Sequence, residues 1–274
     1  MRRIPILLLS LCWSLTTLAA PNVVTSILPL HSLVAGVMDG VGTPRLLIGA
    51  NASPHAYALK TSDALALSEA ELVVWVGEEL ETMLEHSLHS LADKARVVEL
   101  VSVEGMRLLT TRELGARVGR TEALEHDSHA HEHGNMDTHL WLSPYNARRI
   151  VSAVADELAE LDQSNAERYR INAALLERRI TSLEDAIQGQ LASVREIPYI
   201  VFHDAYRYFE EAFSLHSVGA IAVSPERRPG ARRIVEIRQA IRDSGAACVF
   251  SEPQFRPNIV EVVLSLIHIS EPTR

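Results

Sequence analysis

A long stretch without chain breakers divides this sequence and limits the architectures open to it. From Tyr145 to Val194 there is no proline, and no glycine except Gly189. Ile150, Val154, Leu158 and Leu161 recur at helical spacing, as do Leu175, Ile180 and Leu183. The polar run Asp162-Gln163-Ser164-Asn165 interrupts the pattern and opens a second helix. At about 1.5 Å of rise per residue, that second helix alone could span a domain.

The segments on either side read differently. Asn22–Ser26, Arg45–Ile48, Leu72–Val76 and Arg96–Leu100 are short runs rich in branched apolar residues, each a predicted strand. Helical patterns over His31–Met38 and Glu79–Ala92 separate them, with Thr61-Ser62-Asp63 offering cap residues for a further helix. Leu72–Val76, LVVWV, is apolar throughout, as a strand covered on both faces must be. After the long helices come predicted strands at Tyr199–Phe202 and Cys248–Phe250, with a helix over Ile234–Ile241 between them. Strands alternating with helices give an α/β fold with parallel sheets. The order is an α/β half, a helical connector, and the beginning of a second α/β half.

The N-terminus reads as an export signal. Arg2 and Arg3 precede an apolar run from Ile4 to Leu18, which is short for a membrane span, and small residues follow at Ala19 and Ala20. Pro21 places the cut after Ala19. Bulky Leu11 before Cys12 argues against a lipid anchor. The formal charge of −9 becomes about −11 once Arg2 and Arg3 leave, an acidic balance that disfavours nucleic acid and anionic membranes. Cys248 is then a lone cysteine in an oxidising compartment, which implies a free thiol, an intermolecular pair or a missing partner.

Chemistry concentrates in the twelve histidines. His126, His129, His131 and His133 lie in a polar loop over residues 125–137, EHDSHAHEHGNMD, whose imidazoles suit an accessory metal region. His139 stands where that loop turns apolar; His55 sits in a turn after a predicted strand; His203 directly follows another. Strand-following loops form the carboxyl edge of an α/β sheet, where such folds carry their sites. Spacing alone leaves each of the three open between a ligand and a hydrogen-bonded, partly buried histidine. Tyr57, Trp141 and Phe202 read as cleft walls or core.

The stretches PHAYALKTSDALALSEAELVVWVG, HLWLSP, IVFHDAYRYFE, SPERRPGARRIVEIR and CVFSEPQFRP resemble the periplasmic zinc-binding proteins of bacterial zinc ABC importers, in order from about Val23 to Val263. The resemblance implies two parallel-sheet α/β domains joined by a long rigid connecting helix, with metal in the cleft between them. It implies His55, His139 and His203 as the metal ligands, zinc as the transported ion, and the ABC permease of the inner membrane as the partner. A monomeric, periplasmic receptor without enzymatic activity is expected. Asp204 and Glu252 are expected to orient imidazoles from outside the ligand set, with a helix N-cap the alternative role for Asp204. Manganese or iron receptors of the same fold resemble the chain too, but carry a carboxylate at the position of His203. Three neutral imidazoles favour zinc. A zinc hydrolase is the remaining alternative, although no HExxH helix or nucleophile motif is present.

The expected organisation is a signal peptide over 1–19 and an N-terminal α/β domain over 20–143. Connecting helices occupy 144–196, and a partial C-terminal α/β domain 197–264. Residues 265–274, SLIHISEPTR within the final stretch, do not resemble a continuation of the domain and are expected to be foreign. Family members continue past this point to an acidic stretch able to give a fourth ligand, and to a cysteine that pairs with the position of Cys248. Neither is present here, so the second domain is expected to be incomplete, with water completing the metal's tetrahedron.

Overall fold

The computed structural model describes residues 19–50, 52–112, 136–222 and 230–252. A four-stranded parallel sheet organises the first half. Its strands are β1 (Val23–Ile27), β2 (Arg45–Ile48), β3 (Leu72–Trp75) and β4 (Arg96–Glu99), in the order β2-β1-β3-β4. The central strands β1 and β3 are buried at every residue; β3 is apolar throughout, whereas β1 also buries Thr25 and Ser26. Helix α1 (Leu28–Val37) follows β1 directly because Pro29 at its first turn needs no N–H partner, and it buries Leu30, Val34 and Val37.

Two helix starts differ from the sequence expectation. Helix α2 (Thr61–Ser68) is capped one residue earlier, at Lys60, whose backbone N–H donates to Asp63 Oδ2 at 2.9 Å. Helix α3 (Thr82–Leu91) begins three residues after Glu79, because Glu81 turns its carboxylate inward. There it accepts the N–H groups of Val76 (3.2 Å) and Gly77 (3.1 Å) at the end of β3. Burial pushes the Glu81 carboxyl up to about 7, against the lowering effect of these bonds and of Ser26.

The breaker-free stretch forms α4 (Pro144–Leu161) and α5 (Ala166–Leu191). Ser143 caps α4, its Oγ accepting the Asn146 N–H at 3.3 Å, with Pro144 in the first turn. The break falls where the polar run predicts it. Asp162 accepts from the Asn165 side chain at 2.7 Å and the Tyr169 hydroxyl at 2.9 Å, satisfying itself locally instead of continuing the helix. Ile150, Val151, Val154, Ala155 and Leu158 of α4 join the first hydrophobic cluster. The buried residues of α5 stop at Ala173, and Leu175 and Leu183 are exposed although their spacing is helical.

The second half holds a three-stranded parallel sheet of β7 (Tyr199–His203), β8 (Ser217–Ala222) and β9 (Cys248–Phe250), in the order β8-β7-β9. Helices α6 (Arg207–Phe213) and α7 (Ala231–Ser244) accompany it, and α7 ends at Gly245 in the left-handed conformation (φ 66°). Among the described residues its own buried cluster is built on Ile200, Phe202, Ile221, Ile237, Ile241 and Ala246. Between the two sheets, β5 (Leu109–Thr110) and β6 (Met136–Asp137) make a two-residue antiparallel ladder. Among the described residues no helix is long and apolar enough to cross a membrane.

Candidate metal centre

Three elements from different parts of the chain bring His55, His139 and His203 together. His55 lies in a 3-10 turn, Pro54–Ala56, after the carboxyl end of β2. His139 follows β6 and enters a second 3-10 turn, Leu140–Leu142, held on the start of α4 by Asn146. The Asn146 side chain donates to Leu140 C=O at 3.1 Å and Arg107 C=O at 2.8 Å, and accepts the Arg107 N–H at 3.0 Å. His203 is the last residue of β7 rather than the first after it, and is buried. Ring centroids lie 5.8 Å apart for His55 and His139, 5.7 Å for His55 and His203, and 5.0 Å for His139 and His203.

One ring nitrogen from each histidine can be chosen so that all three lie within 4.8 Å of one another. A tetrahedral zinc with Zn–N bonds near 2.0 Å separates its ligands by about 3.3 Å, so side-chain rotations of about 1.5 Å would close the set on an ion. Among the described residues this is the group of three or more potential ligands that converges in this way. His126, His129, His131 and His133 lie outside the described residues.

The carboxylate best placed to orient an imidazole is Asp137, the last residue of the polar stretch 125–137 and part of β6. Its Oδ1 accepts both the backbone N–H (3.0 Å) and Nδ1 (2.8 Å) of His139. A carboxylate facing Nδ1 holds the proton there and leaves Nε2 with a lone pair for a metal. The local signal was available: a carboxylate two residues before a histidine is short enough to fold back on its ring.

Of the two groups expected around the ligands, Glu252 places Oε1 3.8 Å from His203 Nδ1. Burial pushes its carboxyl up to about 7, with His139 acting in the other direction. Asp204 is turned to Arg112, 2.9 Å from its guanidinium, and the cap of α6 is Tyr206. Burial raises the Asp204 carboxyl, opposed by Arg112. Arg112 also pairs with Glu210, which accepts the Tyr199 hydroxyl at 3.1 Å. Trp141 forms a wall, its ring 5.4 Å from that of His139. Tyr57 is tied to Asp63 (2.7 Å), and Phe202 is core.

Imidazoles carried by elements of both halves converge here, and the structural likenesses agree on the fold. A crystal structure of ZnuA aligns with TM-score 0.75 at 23% identity, covering 90% of this chain and 88% of the other. A manganese-bound periplasmic metal-binding protein from Candidatus Liberibacter asiaticus aligns with TM-score 0.73 at 18% identity, covering 90% and 85%. The chain belongs to the family of periplasmic component A of the zinc-uptake complex, whose model matches residues 23–271. The high-affinity zinc uptake system protein ZnuA of Brucella abortus is 38% identical over 266 residues, which is 89% of this chain and 80% of that protein.

Proposed function

We propose that this chain captures zinc in the periplasm through His55, His139 and His203 and delivers it to the membrane permease of an ABC importer. The observation that carries the reading is the convergence of three imidazoles, one from each of three separated elements, with one ring nitrogen of each within 4.8 Å of the others. Membership of the zinc-uptake family supports the same cargo. The donor set supports zinc over manganese, since neutral nitrogen ligands suit the softer ion and carboxylates the harder one. The likeness to a manganese-bound protein extends to the fold and leaves that argument to the ligands.

In this reading the residues present hold the ion and do no chemistry on it. Asp137 aims His139, Glu252 lies beside the Nδ1 edge of His203, and Trp141 closes one side. Imidazoles must be neutral to bind, so acidification releases the metal. Export through residues 1–19 and a monomeric state belong to the same proposal, as does accessory metal contact by His126, His129, His131 and His133. The test is zinc titration of the chain beside its His139→Ala and His203→Ala variants, with manganese as competitor. Each variant is expected to lose at least about 100-fold in zinc affinity, consistent with removal of one strong nitrogen donor. Unchanged affinity in both variants would sink the ligand assignment.

A further inference from the structure

Tyr208 of α6 is 97% buried among apolar residues of the first half, although α6 follows the second sheet's central strand. Its hydroxyl accepts the Leu109 N–H at 2.9 Å and donates to the Asp137 carbonyl at 2.9 Å. It therefore bridges the two strands of the β5–β6 ladder at their paired residues. Asp137 is engaged at both ends: its carbonyl by Tyr208, and its carboxylate by His139. The same chain, α6, begins four residues after His203. Arg112, just past β5, ties Asp204 and Glu210 to the same junction.

We propose that Tyr208 is a positioning residue of the metal site, which sets His139 against His203 by holding the Asp137 peptide to α6. A single hydroxyl thereby links the segment bearing one imidazole's carboxylate partner to the helix anchored behind the other imidazole. Without it, the Asp137 peptide is free to shift, and the His139 ring loses its fixed direction toward the common point. The proposal rests on the three-histidine reading of the site.

The experiment measures zinc affinity, by competition with a chromophoric chelator, for the full chain and for Tyr208→Phe, Asp137→Asn and the double variant. Phenylalanine keeps the buried ring and removes only the hydroxyl, and circular dichroism of the metal-free variants checks the fold. Tyr208→Phe is expected to weaken zinc about 10-fold, in the range seen when a ligand's outer partner is lost. Because it acts through Asp137, the double variant is expected to bind no more weakly than the weaker single variant. Unchanged affinity in Tyr208→Phe overturns the proposal, and so does a double-variant loss equal to the product of the two single losses. His139→Ala in the same series separates the two ideas. If it binds as tightly as the parent, the metal-site reading itself fails; if it loses zinc while Tyr208→Phe does not, only the role of Tyr208 fails.

Discussion

The two halves of the molecule hold their histidines on unequal foundations. His55 follows a strand of the four-stranded sheet, whose central strands are buried throughout, and His139 lies at the turn before α4, which packs with α1 and the start of α5 into the same continuous cluster. His203 stands on three described strands, backed, among the described residues, by a cluster of six buried ones. On its other side, Tyr199, Val201, Phe209 and Phe250 line an apolar groove of about 460 Å3 with the end of α5, and Phe250 is 53% exposed. Burial of apolar area is the main stabilising term, and among the described residues the larger buried cluster belongs to the first half. Polar contacts of Arg112 and Tyr208 cross the junction between the halves.

The contrast between the cores can be broken directly by truncating one apolar residue in each. Leu72→Ala, at a fully buried position of β3, is expected to cost about 4 kcal/mol, because the dense surroundings cannot collapse onto the cavity. Ile237→Ala in α7 is expected to cost about 2 kcal/mol, since a small, open cluster relaxes more easily. Denaturant unfolding of the metal-free chain measures both; equal costs would mean the two cores are equally well packed.

Glu81 sharpens the comparison through pH. Its folded-state pKa is raised from 4.5 to about 7, so the folded protein holds this proton more tightly than the unfolded chain does. The resulting stability is fully present below about pH 4.5 and is lost as pH rises through 7, in all about 3 kcal/mol. Glu81→Gln should flatten that part of the profile between pH 5 and pH 8, with the effect read from the unfolding of the first half. Parallel pH profiles for the parent and the variant would count against it.

The smallest expected effect concerns how the first half carries its histidine turn. Ser143 caps α4 immediately after the turn that follows His139, whereas α7 begins at Gly230 with no side-chain cap. Ser143→Ala should lower stability by about 1 kcal/mol, the usual worth of such a cap. Thermal melting resolves a change of that size, and no change would show the turn to be held by Asn146 alone.

Much of this could be read along the chain, and the exceptions have a common cause. Strands β1, β2, β3 and β7 and the α4–α5 break were legible because branched apolar runs and a self-satisfying Asp162 declare themselves locally. Strand β8, Ser217–Ala222, passed unnoticed because it has few strand-forming side chains and is defined by its pairing with β7. Strands β5 and β6 are two residues each, and exist only through each other. Helix α6 is short and aromatic, with too few turns to show a period. The three histidines were visible by kind and by placement after strands, but spacing alone could not separate ligand from core. Asp137 was within reach of a local argument. Tyr208 was not, since its partners lie 71 and 99 residues away.

By itself, the sequence determined two α/β halves, a helical connector, and three histidines set at strand ends, because each follows from local periodicity and residue chemistry. The tertiary structure alone decided that those histidines converge, that Asp137 meets the ring of one of them, and that Asp204 pairs with Arg112. Such choices depend on groups distant in sequence meeting across a junction, and nothing in the local order of residues sets those distances.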